Sequence, residues 1–427
     1  AVAADQPYDL ISPRTGQVVG QRKARALFDQ ITEAAWRNGE PGLIFIDHVN
    51  QFNPTPAAGA IEATNPCGEQ PLLPYESCTL GSVNLSAMVL NGQIDWQRLH
   101  HTIHTAVHFL DNVIEINRYP LEQIEQASKA TRKIGLGVMG FADMLIKCGH
   151  PYDSQAAVTT AEETMAFVQR EARNASAQLA QTRGNFPLYS GSIFDQPDTP
   201  HMRNAAVTTI APTGTISLIA GVSSGIEPLY AIAVQRRVLD GNTFYELHPL
   251  FAEMAREEGI DTKRLAEKVS ATGATAAVDK LPQALRRLFV TAHEVTPEWH
   301  VRMQAAFQRS TDNAVSKTVN FPASASAGQV GEVFKLAYEQ SCKGITVYRD
   351  GSREQQVLSN ARSPDKERLP LTPRPRPERT QGVTERIRTG CGKLYVTVNS
   401  DEEGLCEVFA KMGKTGGCAS SQIEAAG

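Results

Sequence analysis

The sequence has 427 residues, of which 41% are hydrophobic and 21% are charged, so it can form a sizeable core in two or three domains. The formal net charge is −4, so the chain lacks the basic surplus that nucleic-acid binding requires, and small-molecule substrates are expected instead. It contains no apolar run of about 18 residues and no signal-peptide pattern at its start, so we expect a cytoplasmic protein with no membrane partner.

The predicted elements alternate between helices and short buried strands. Helical periodicity spans 22–38, and Gly39 and Pro41 supply a stop after it. The apolar run at 43–46 predicts a buried strand, as do the shorter runs at 207–210 and 344–347. Further helices are predicted at 96–113, 121–129, 138–148, 154–184, 247–258, 297–313 and 328–341. This alternation is typical of an α/β fold.

Beyond Gly351 the composition shifts to Arg, Pro, Glu and Ser, which predicts an extended linker at 354–386. Acidic residues dilute the charge of that segment, so it is not interpreted as a nucleic-acid patch. Residues 393–398 and 405–409 then alternate with period two, which predicts a β-hairpin. We therefore expect a main domain at 1–353, the linker, and a small β-containing domain at 387–427 that is truncated at its end.

The chain has seven cysteines with no C-x-x-C pair, which is unlike a secreted disulfide framework. A functional cysteine here is expected to be redox-active or metal-binding. The three in the terminal domain leave zinc binding and electron relay open as alternatives. The seven are Cys67, Cys78, Cys148, Cys342, Cys391, Cys406 and Cys418.

The most informative segment is Asn65-Pro66-Cys67-Gly68-Glu69-Gln70, which combines an amide, a thiol and a carboxylate. In an extended segment Asn65, Cys67 and Glu69 would project to one face and converge on a small substrate. A sulfur-centred radical can abstract hydrogen from a sugar carbon, a carboxylate can take a neighbouring hydroxyl proton, and an amide can orient that hydroxyl. Reduction then needs a second thiol, and Cys78 is near in sequence. The alternative is that both cysteines are inert buried thiols.

A second candidate site follows the strand predicted at 207–210. Backbone N–H groups and hydroxyls gathered in a turn of small residues can hold phosphate oxygens, although such turns are most often only turns. The segment is not a Walker A motif, because no Gly-Lys-Ser/Thr follows it. The candidate residues are Pro212, Thr213, Gly214, Thr215, Ile216 and Ser217.

Two further patterns are interpreted as structural. His100, His104 and His108 share one helical face, but they flank the apolar stripe and lack a nearby cysteine or carboxylate of matching phase, so no metal site is predicted. The glycines that flank Val138 are attributed to close backbone packing rather than to ligand contact.

The segment at 65–74, followed by Cys78-Thr79-Leu80-Gly81-Ser82-Val83-Asn84-Leu85, resembles the finger loop of class II ribonucleotide reductases. The resemblance implies the later part of a ten-stranded α/β barrel over 1–353. It also implies that Cys67 carries the thiyl radical, that Asn65 and Glu69 are its acid/base partners, and that Cys78 is half of the reducing pair. The other reducing cysteine of the family lies upstream, and we expect it outside this chain. The turn at 212–217 resembles the family's substrate-phosphate loop.

The class of reductase is indicated by the residue before Tyr348. Class I enzymes use two adjacent tyrosines in the matching strand, whereas Val347 stands here, so the resemblance favours adenosylcobalamin as the radical source. It implies reduction of ribonucleoside di- or triphosphates for DNA synthesis, with a thioredoxin- or glutaredoxin-type reductant, and leaves a homodimer open. The alternatives are a class I large subunit and a non-catalytic nucleotide-binding module. Residues 1–427 alone are expected to be inactive.

Overall fold

The computed structural model describes residues 1–237, 243–262, 265–266, 269, 281–352, 379–389, 392–401 and 404–412. Contacts divide the chain into two units, Ala1–Ser363 and Pro364–Gly427. Within the described ranges, none of the helices combines the length and apolar character needed to cross a membrane.

The helices of the first unit are α1 (Ala24–Asn38), α2 (Ile46–Gln51), α3 (Trp96–Ile116), α4 (Glu122–Thr131), α5 (Phe141–Lys147), α6 (Gln155–Arg183), α7 (Gly214–Ala220), α8 (Pro249–Glu257), α9 (Gln283–Leu288), α10 (Pro297–Gln308) and α11 (Ala327–Glu339). Short 3₁₀ helices lie at Pro56–Ala58, Leu85–Met88 and Pro187–Tyr189.

The strands of the first unit are β1 (Pro7–Ile11), β2 (Val18–Lys23), β3 (Leu43–Ile44), β4 (Ala63–Thr64), β5 (Pro71–Leu72), β6 (Thr79–Asn84), β7 (Val89–Leu90), β8 (Gln93–Ile94), β9 (Ile134–Met139), β10 (Ala233–Arg237), β11 (Thr243–Leu247), β12 (Thr318–Phe321) and β13 (Gly344–Arg349).

Local sequence signals explain several helix ends. Asp95 caps α3 by accepting from the Arg98 N–H at 2.9 Å, and Ser326 begins α11 in a reciprocal capping box with Gln329. The expected stop of α1 is confirmed at Gly39, which adopts φ +84°. Helix α10 ends at Gln308, earlier than its sequence pattern indicates.

Parallel segments form the barrel-like wall of the first unit. Strand β6 pairs parallel with β9, β9 bonds to the segment at 207–210, and that segment bonds to 313–316. Farther along the chain, β12 pairs parallel with β13, and β13 pairs antiparallel with β3. One apolar core lies between β9, α3, α5 and α6, and a second packs α1 and α11 against β12 and β13.

The run at 43–46 differs from its prediction as a buried strand. Only Leu43 and Ile44 are in a strand, and α2 begins at Ile46. Ile44 and Ile46 are 40% and 45% exposed, whereas the alternate residues Leu43 and Phe45 pack against the second core. Ile44 lines an open cleft. Periodicity alone cannot separate a short strand from a helix start.

The second unit contains a three-stranded antiparallel sheet. Its strands are β14 (Gln381–Thr389), β15 (Gly392–Asp401) and β16 (Gly404–Met412), in that spatial order. The hairpin expected from the sequence is confirmed as the pairing of β15 with β16. Strand β14 was not expected, and it begins before the boundary that composition suggested at residue 387. Most of the expected linker lies outside the described residues.

Candidate active site

Residues 65–70 form the tip of a hairpin between β4 and β5. Gly68 N–H donates to the Asn65 carbonyl at 3.0 Å, and Gly68 adopts φ +79°, which glycine tolerates. Asn65 Oδ1 accepts from the Gln70 N–H at 3.0 Å. The segment is therefore a tight turn, and the expectation that it is extended is wrong. Hydrogen bonds from Gly68 and Gln70 to Asn65 close this turn.

The hairpin is held against the parallel wall through the backbone of Glu69. Its carbonyl accepts from Thr209 Oγ1 at 2.8 Å and from the Ala314 N–H at 3.0 Å. Thr209 is fully buried in the segment at 207–210. Two neighbouring parallel segments thus fix the position of Glu69.

Cys67 is an exposed residue on the wall of a cleft of about 150 Å³. The same cleft is lined by Gly42, Ile44, Val315 and Lys317. Partial burial raises the pKa of the Cys67 thiol, and the charge of Glu69 raises it further. The thiol is therefore accessible from the cleft and stays protonated at neutral pH.

Cys78 lies immediately before β6 and is half-buried. Its Sγ donates to the Lys133 carbonyl at 3.5 Å. Burial raises the pKa of this thiol strongly, the Lys133 ammonium opposes the rise, and the charge of Glu69 adds to it. The charge of Glu69 therefore contributes to the raised pKa of both thiols.

Two side chains at this hairpin keep polar atoms without hydrogen-bond partners in the described part of the chain. Glu69 is 3% exposed, and its Oε2 atom is buried and unpaired. Gln70 is 2% exposed, with both its Oε1 and Nε2 atoms unpaired. Leaving such atoms without partners costs about 1–3 kcal/mol each, so they are candidates for contact with a ligand.

Lys317 was missed by the sequence reasoning. Its side chain is fully buried beside the cleft, where Nζ donates to Glu227 Oε2 at 2.7 Å and lies 3.0 Å from His300 Nδ1. Burial lowers the pKa of Lys317 against the opposing charge of Glu227. Burial and the Lys317 charge lower the pKa of His300 well below its usual value, so the neutral ring can accept from Lys317. No spacing signal marks three residues that are this far apart in sequence.

The candidate phosphate turn lies at the start of α7. Thr213 adopts φ +56°, and its Oγ1 accepts from the Gly225 N–H at 2.7 Å. Ser217 is buried and bonds through its hydroxyl to Ser224 at 2.9 Å, so these two hydroxyls maintain the shape of the turn. Gly214, Thr215 and Ile216 are exposed and remain available to a ligand. Pro212 is half-buried at the entrance of the turn.

The turn and the cleft belong to one network. Glu227 follows the turn along the chain, and its Oε1 accepts from the Thr318 N–H at 2.7 Å while its Oε2 binds Lys317. The two candidate sites are therefore joined through buried polar contacts of β12.

A family model described as the ribonucleotide reductase barrel domain matches residues 4–201 and 195–348. This chain belongs to the ribonucleotide reductase barrel-domain family. The TSCPD domain model matches residues 366–427. These matches confirm the α/β barrel class and the small C-terminal module that were expected from the sequence.

Two similar proteins are vitamin B12-dependent ribonucleoside-diphosphate reductases. The one from Thermoplasma acidophilum is 50% identical over 356 residues, covering 83% of this chain and 46% of that protein. One from Mycobacterium tuberculosis is 49% identical over 361 residues, covering 84% and 52%. This reductase chain thus spans about half the length of these relatives. A solved class Id reductase alpha subunit from Actinobacillus ureae shares the fold, with 22% identity, a TM-score of 0.65 and coverage of 77% and 61%.

The glycines of the reductase barrel pack tightly, as the sequence analysis expected. A Cβ added to Gly137 would lie 2.3 Å from the Thr209 carbonyl oxygen, and one on Gly135 would lie 2.7 Å from both Gln70 and Thr209. The glycines therefore allow β9 to approach the segment at 207–210 closely.

Tyr348 of the reductase chain has a tyrosine neighbour from outside its own strand. Burial raises the pKa of Tyr230 to about 12, and the charges of Tyr348 and Asp350 contribute to that rise. Val347, the residue before Tyr348, is buried and pairs in register with Val319. The sequence indicated the class of reductase from Val347, the residue before Tyr348, and gave no signal for Tyr230.

The three cysteines of the terminal domain lie far along the chain from the hairpin turn. Cys406 is half-buried in β16, whereas Cys391 and Cys418 lie outside the described residues. The zinc and relay alternatives for these three cysteines are therefore not distinguished by geometry.

Proposed function

We propose that this chain is the catalytic part of a vitamin B12-dependent ribonucleotide reductase that converts ribonucleoside di- or triphosphates to 2′-deoxyribonucleotides. The observation that carries the proposal is the buried, unpaired Oε2 atom of Glu69 on the hairpin turn whose Cys67 lines the cleft. A buried carboxylate oxygen without a partner lowers the stability of the fold unless a ligand, such as a substrate hydroxyl, donates a hydrogen bond to it. Raised thiol pKa values oppose thiolate chemistry and suit transfer of a hydrogen atom from S–H.

The first half of the reaction is assigned to the hairpin turn. After losing its hydrogen atom, Cys67 abstracts hydrogen from C3′ of the ribose and becomes a thiol again. Glu69 Oε2 accepts the proton of the 3′-hydroxyl, a general-base role for which its position is suited. The amide group of Asn65 orients the same hydroxyl, because its Oδ1 is engaged by Gln70 and its NH₂ end is the donor that remains.

The second half removes the 2′-hydroxyl as water and needs two electrons. Two thiols supply them by forming one disulfide and releasing two protons, one of which leaves with the hydroxyl as water while the other ends on C2′. Cys67 then returns its hydrogen atom to C3′, which restores the sulfur radical, and Glu69 returns its proton to the 3′ oxygen. Cys78 is one of the two reducing thiols, and the family resemblance places the other before Cys67 in the full-length protein. A thioredoxin- or glutaredoxin-type protein then reduces the disulfide, and a homodimer is the proposed assembly.

The turn at 212–217 binds the substrate phosphates. The exposed backbone N–H groups of Gly214, Thr215 and Ile216, with the Thr215 hydroxyl, offer donors for phosphate oxygens. Thr213 and Ser217 support the turn instead of contacting the ligand, because both hydroxyls are already bonded. Glu227, which follows the turn along the chain, binds Lys317, and Lys317 lines the same cleft as Cys67.

Cobalamin, in its adenosyl form, is the proposed radical source. A cleft of about 150 Å³ is too small to enclose a ligand larger than drug size, for which pockets of about 300–1,000 Å³ are usual. Cys67 and Ile44, which are both exposed and line this cleft, are the residues that would contact the cofactor. When bound, it supplies the one-electron oxidant that removes the hydrogen atom of the Cys67 thiol.

To test the proposal, deoxyribonucleotide formation by the full-length protein is measured in the presence and in the absence of adenosylcobalamin. A small dithiol serves as the reductant in both assays. Strict dependence on the cofactor is expected. Activity that needs a separate radical-generating protein and no cobalamin would favour a class I subunit, for which the neighbouring Tyr230 and Tyr348 are the supporting observation. Nucleotide binding without turnover in every condition would favour a non-catalytic module.

A further inference from the structure

The packing of α3 on α6 creates a cluster that neither helix contains alone. His100 and His104 lie one turn apart on α3, and Glu171 of α6 reaches between them. Glu171 Oε2 lies 2.9 Å from His100 Nδ1 and 3.4 Å from His104 Nε2. The nitrogen and oxygen atoms of the three side chains are all within 4.8 Å of one another. The carboxylate that the α3 sequence lacks is therefore supplied by a second helix.

We propose that His100, His104 and Glu171 form a binding site for a divalent transition-metal ion, with Zn²⁺ as its reference ligand. Zn²⁺ binds imidazole nitrogen and carboxylate oxygen at about 2.0–2.2 Å, so its ligand atoms in a tetrahedral site lie about 3.4 Å apart. The 3.4 Å distance from Glu171 Oε2 to His104 Nε2 matches that spacing, and the 2.9 Å distance to His100 Nδ1 is about 0.5 Å shorter, as expected for a hydrogen bond that metal binding would replace. Two histidines and one carboxylate leave a fourth coordination position open, as in zinc sites that hold water.

The surroundings of Glu171 fix its orientation. Its Oε1 accepts from Arg170 Nε at 3.0 Å, and the Arg170 guanidinium is held 4.9 Å from the Phe167 ring centre. This contact turns Oε2 toward the two imidazoles, and outer contacts of this kind commonly orient metal ligands.

Solvent access to the cluster and the arrangement of the two imidazole rings are also compatible with a bound metal ion. The side chain of His100 is 50% exposed, that of His104 is 20% exposed, and that of Glu171 is 11% exposed, so an ion can enter from solvent to a partly buried carboxylate. The imidazole centres are 4.2 Å apart. His108, the third histidine of the α3 face, is excluded because its Nε2 lies 2.8 Å from Arg183 Nη2. A bound ion would connect α3 to α6 behind the barrel wall and take no part in the chemistry at Cys67.

Titration of the metal-free full-length protein with Co²⁺, followed by displacement with Zn²⁺, tests the proposal. We expect visible d–d absorption from this site that is lost when its three ligands are replaced. Any sulfur-to-cobalt charge transfer is assigned to a separate site in the cysteine-containing terminal module, because this site has no sulfur ligand. Replacing any one ligand, by His100→Ala, His104→Ala or Glu171→Gln, should weaken Co²⁺ binding at least about tenfold. Tenfold is the smallest loss expected even when only a residue that orients a metal ligand is changed. His108→Ala is the matched control and should bind Co²⁺ like the wild type.

Thermal unfolding provides the second measurement. Zn²⁺ should raise the melting temperature of the wild type and of His108→Ala, because an ion that binds only the folded state stabilises it. The triple variant His100→Ala/His104→Ala/Glu171→Gln should show no shift, while its metal-free circular dichroism matches that of the wild type. Equal Co²⁺ absorption in the wild type and the triple variant would overturn the proposal, as would no binding by the wild type.

Discussion

Thr209 donates its hydroxyl hydrogen to the backbone carbonyl of Glu69 at 2.8 Å, and this bond connects the hairpin turn to the parallel wall. The same Thr209 packs its own backbone against Gly137 of β9. The position of the Glu69 carboxylate therefore depends on how closely β9 approaches the segment at 207–210. A glycine that never touches the substrate thus controls the geometry of the turn.

Gly137→Ala tests this dependence. The added Cβ would lie 2.3 Å from the Thr209 carbonyl oxygen, so the two backbones must separate. We expect a loss of about 1–3 kcal/mol in the free energy of unfolding, typical of overpacking, together with a clear loss of turnover. Gly20→Ala is the control, because its Cβ would meet only Leu10 at 3.8 Å. Chemical denaturation and activity assays measure both effects, and unchanged values for Gly137→Ala would contradict the argument.

Cys67→Ser should abolish turnover of the full-length enzyme while changing nucleotide affinity by less than a few-fold. A hydroxyl cannot replace the thiol as a hydrogen-atom donor and acceptor, but it preserves the shape of the cleft wall. The matched control is Cys148→Ser, a half-buried thiol after α5 that lies outside the cleft. Product formation and equilibrium nucleotide binding are the measurements. Retained turnover in Cys67→Ser would exclude the thiyl mechanism.

Glu69→Gln should lower kcat by about 10²–10⁴, the usual contribution of a general base. The substitution keeps the size of the side chain and leaves the backbone carbonyl that binds Thr209 unchanged, so the melting temperature should be close to that of the wild type. Glu62→Gln, an exposed carboxylate just before the hairpin, is the control. If Glu69→Gln and Glu62→Gln have equal kcat values, Glu69 is not the base.

Thr215→Ala should raise KM with little change in kcat. The Thr215 side chain is exposed at the start of α7, and one hydrogen bond to a charged phosphate contributes about 1.5–3 kcal/mol, or roughly a tenfold or greater change in affinity. An equal effect on ground-state and transition-state binding appears in KM alone. Thr182→Ala, an exposed threonine at the end of α6, is the control. An unchanged KM for Thr215→Ala would remove this side chain from the phosphate site.

The sequence predicted the long helices because their apolar stripes recur over many turns, as in α3 and α6. It failed at 43–46, where a short apolar run borders a cleft, and it missed β14, which follows a segment of low apolar content. Motif composition identified Cys67, Asn65 and Glu69 as one group, but it assumed an extended segment where Gly68 makes a turn. Local patterns fix local conformation and leave tertiary pairings undetermined.

Contacts between distant segments therefore account for what the sequence could not supply. Lys317, Glu227 and His300 have no shared motif, and their meeting beside the cleft depends on the order of the parallel segments. The same holds for Glu171, which completes the histidine pair only because α3 packs on α6. The sequence could identify Glu171 as a partner of these histidines only if the packing of α3 on α6 were already known.

The pH dependence of stability follows from Lys343, at the start of the β13 segment. Its Nζ donates to the Asp312 and Asn313 carbonyls at 2.6 and 2.8 Å, and burial lowers its pKa to about 8, against the opposing charge of Asp312. An unfolded lysine titrates near about 10.4, so between about pH 8 and pH 10 the unfolded chain binds more protons than the folded one. Stability contributed by this group must therefore rise with pH across that window.

Lys343→Met removes the titrating group and should remove this slope. The difference in unfolding free energy between the wild type and Lys343→Met should shift in favour of the wild type by about 3 kcal/mol from pH 7.5 to pH 10.5, since one pKa unit corresponds to about 1.36 kcal/mol. Comparison of the two proteins cancels the titration of other groups, including the thiols. Lys335→Met, the same substitution at a lysine on α11, is the control. A constant difference between the wild type and Lys343→Met across the window would mean that Lys343 titrates as it does in the unfolded chain.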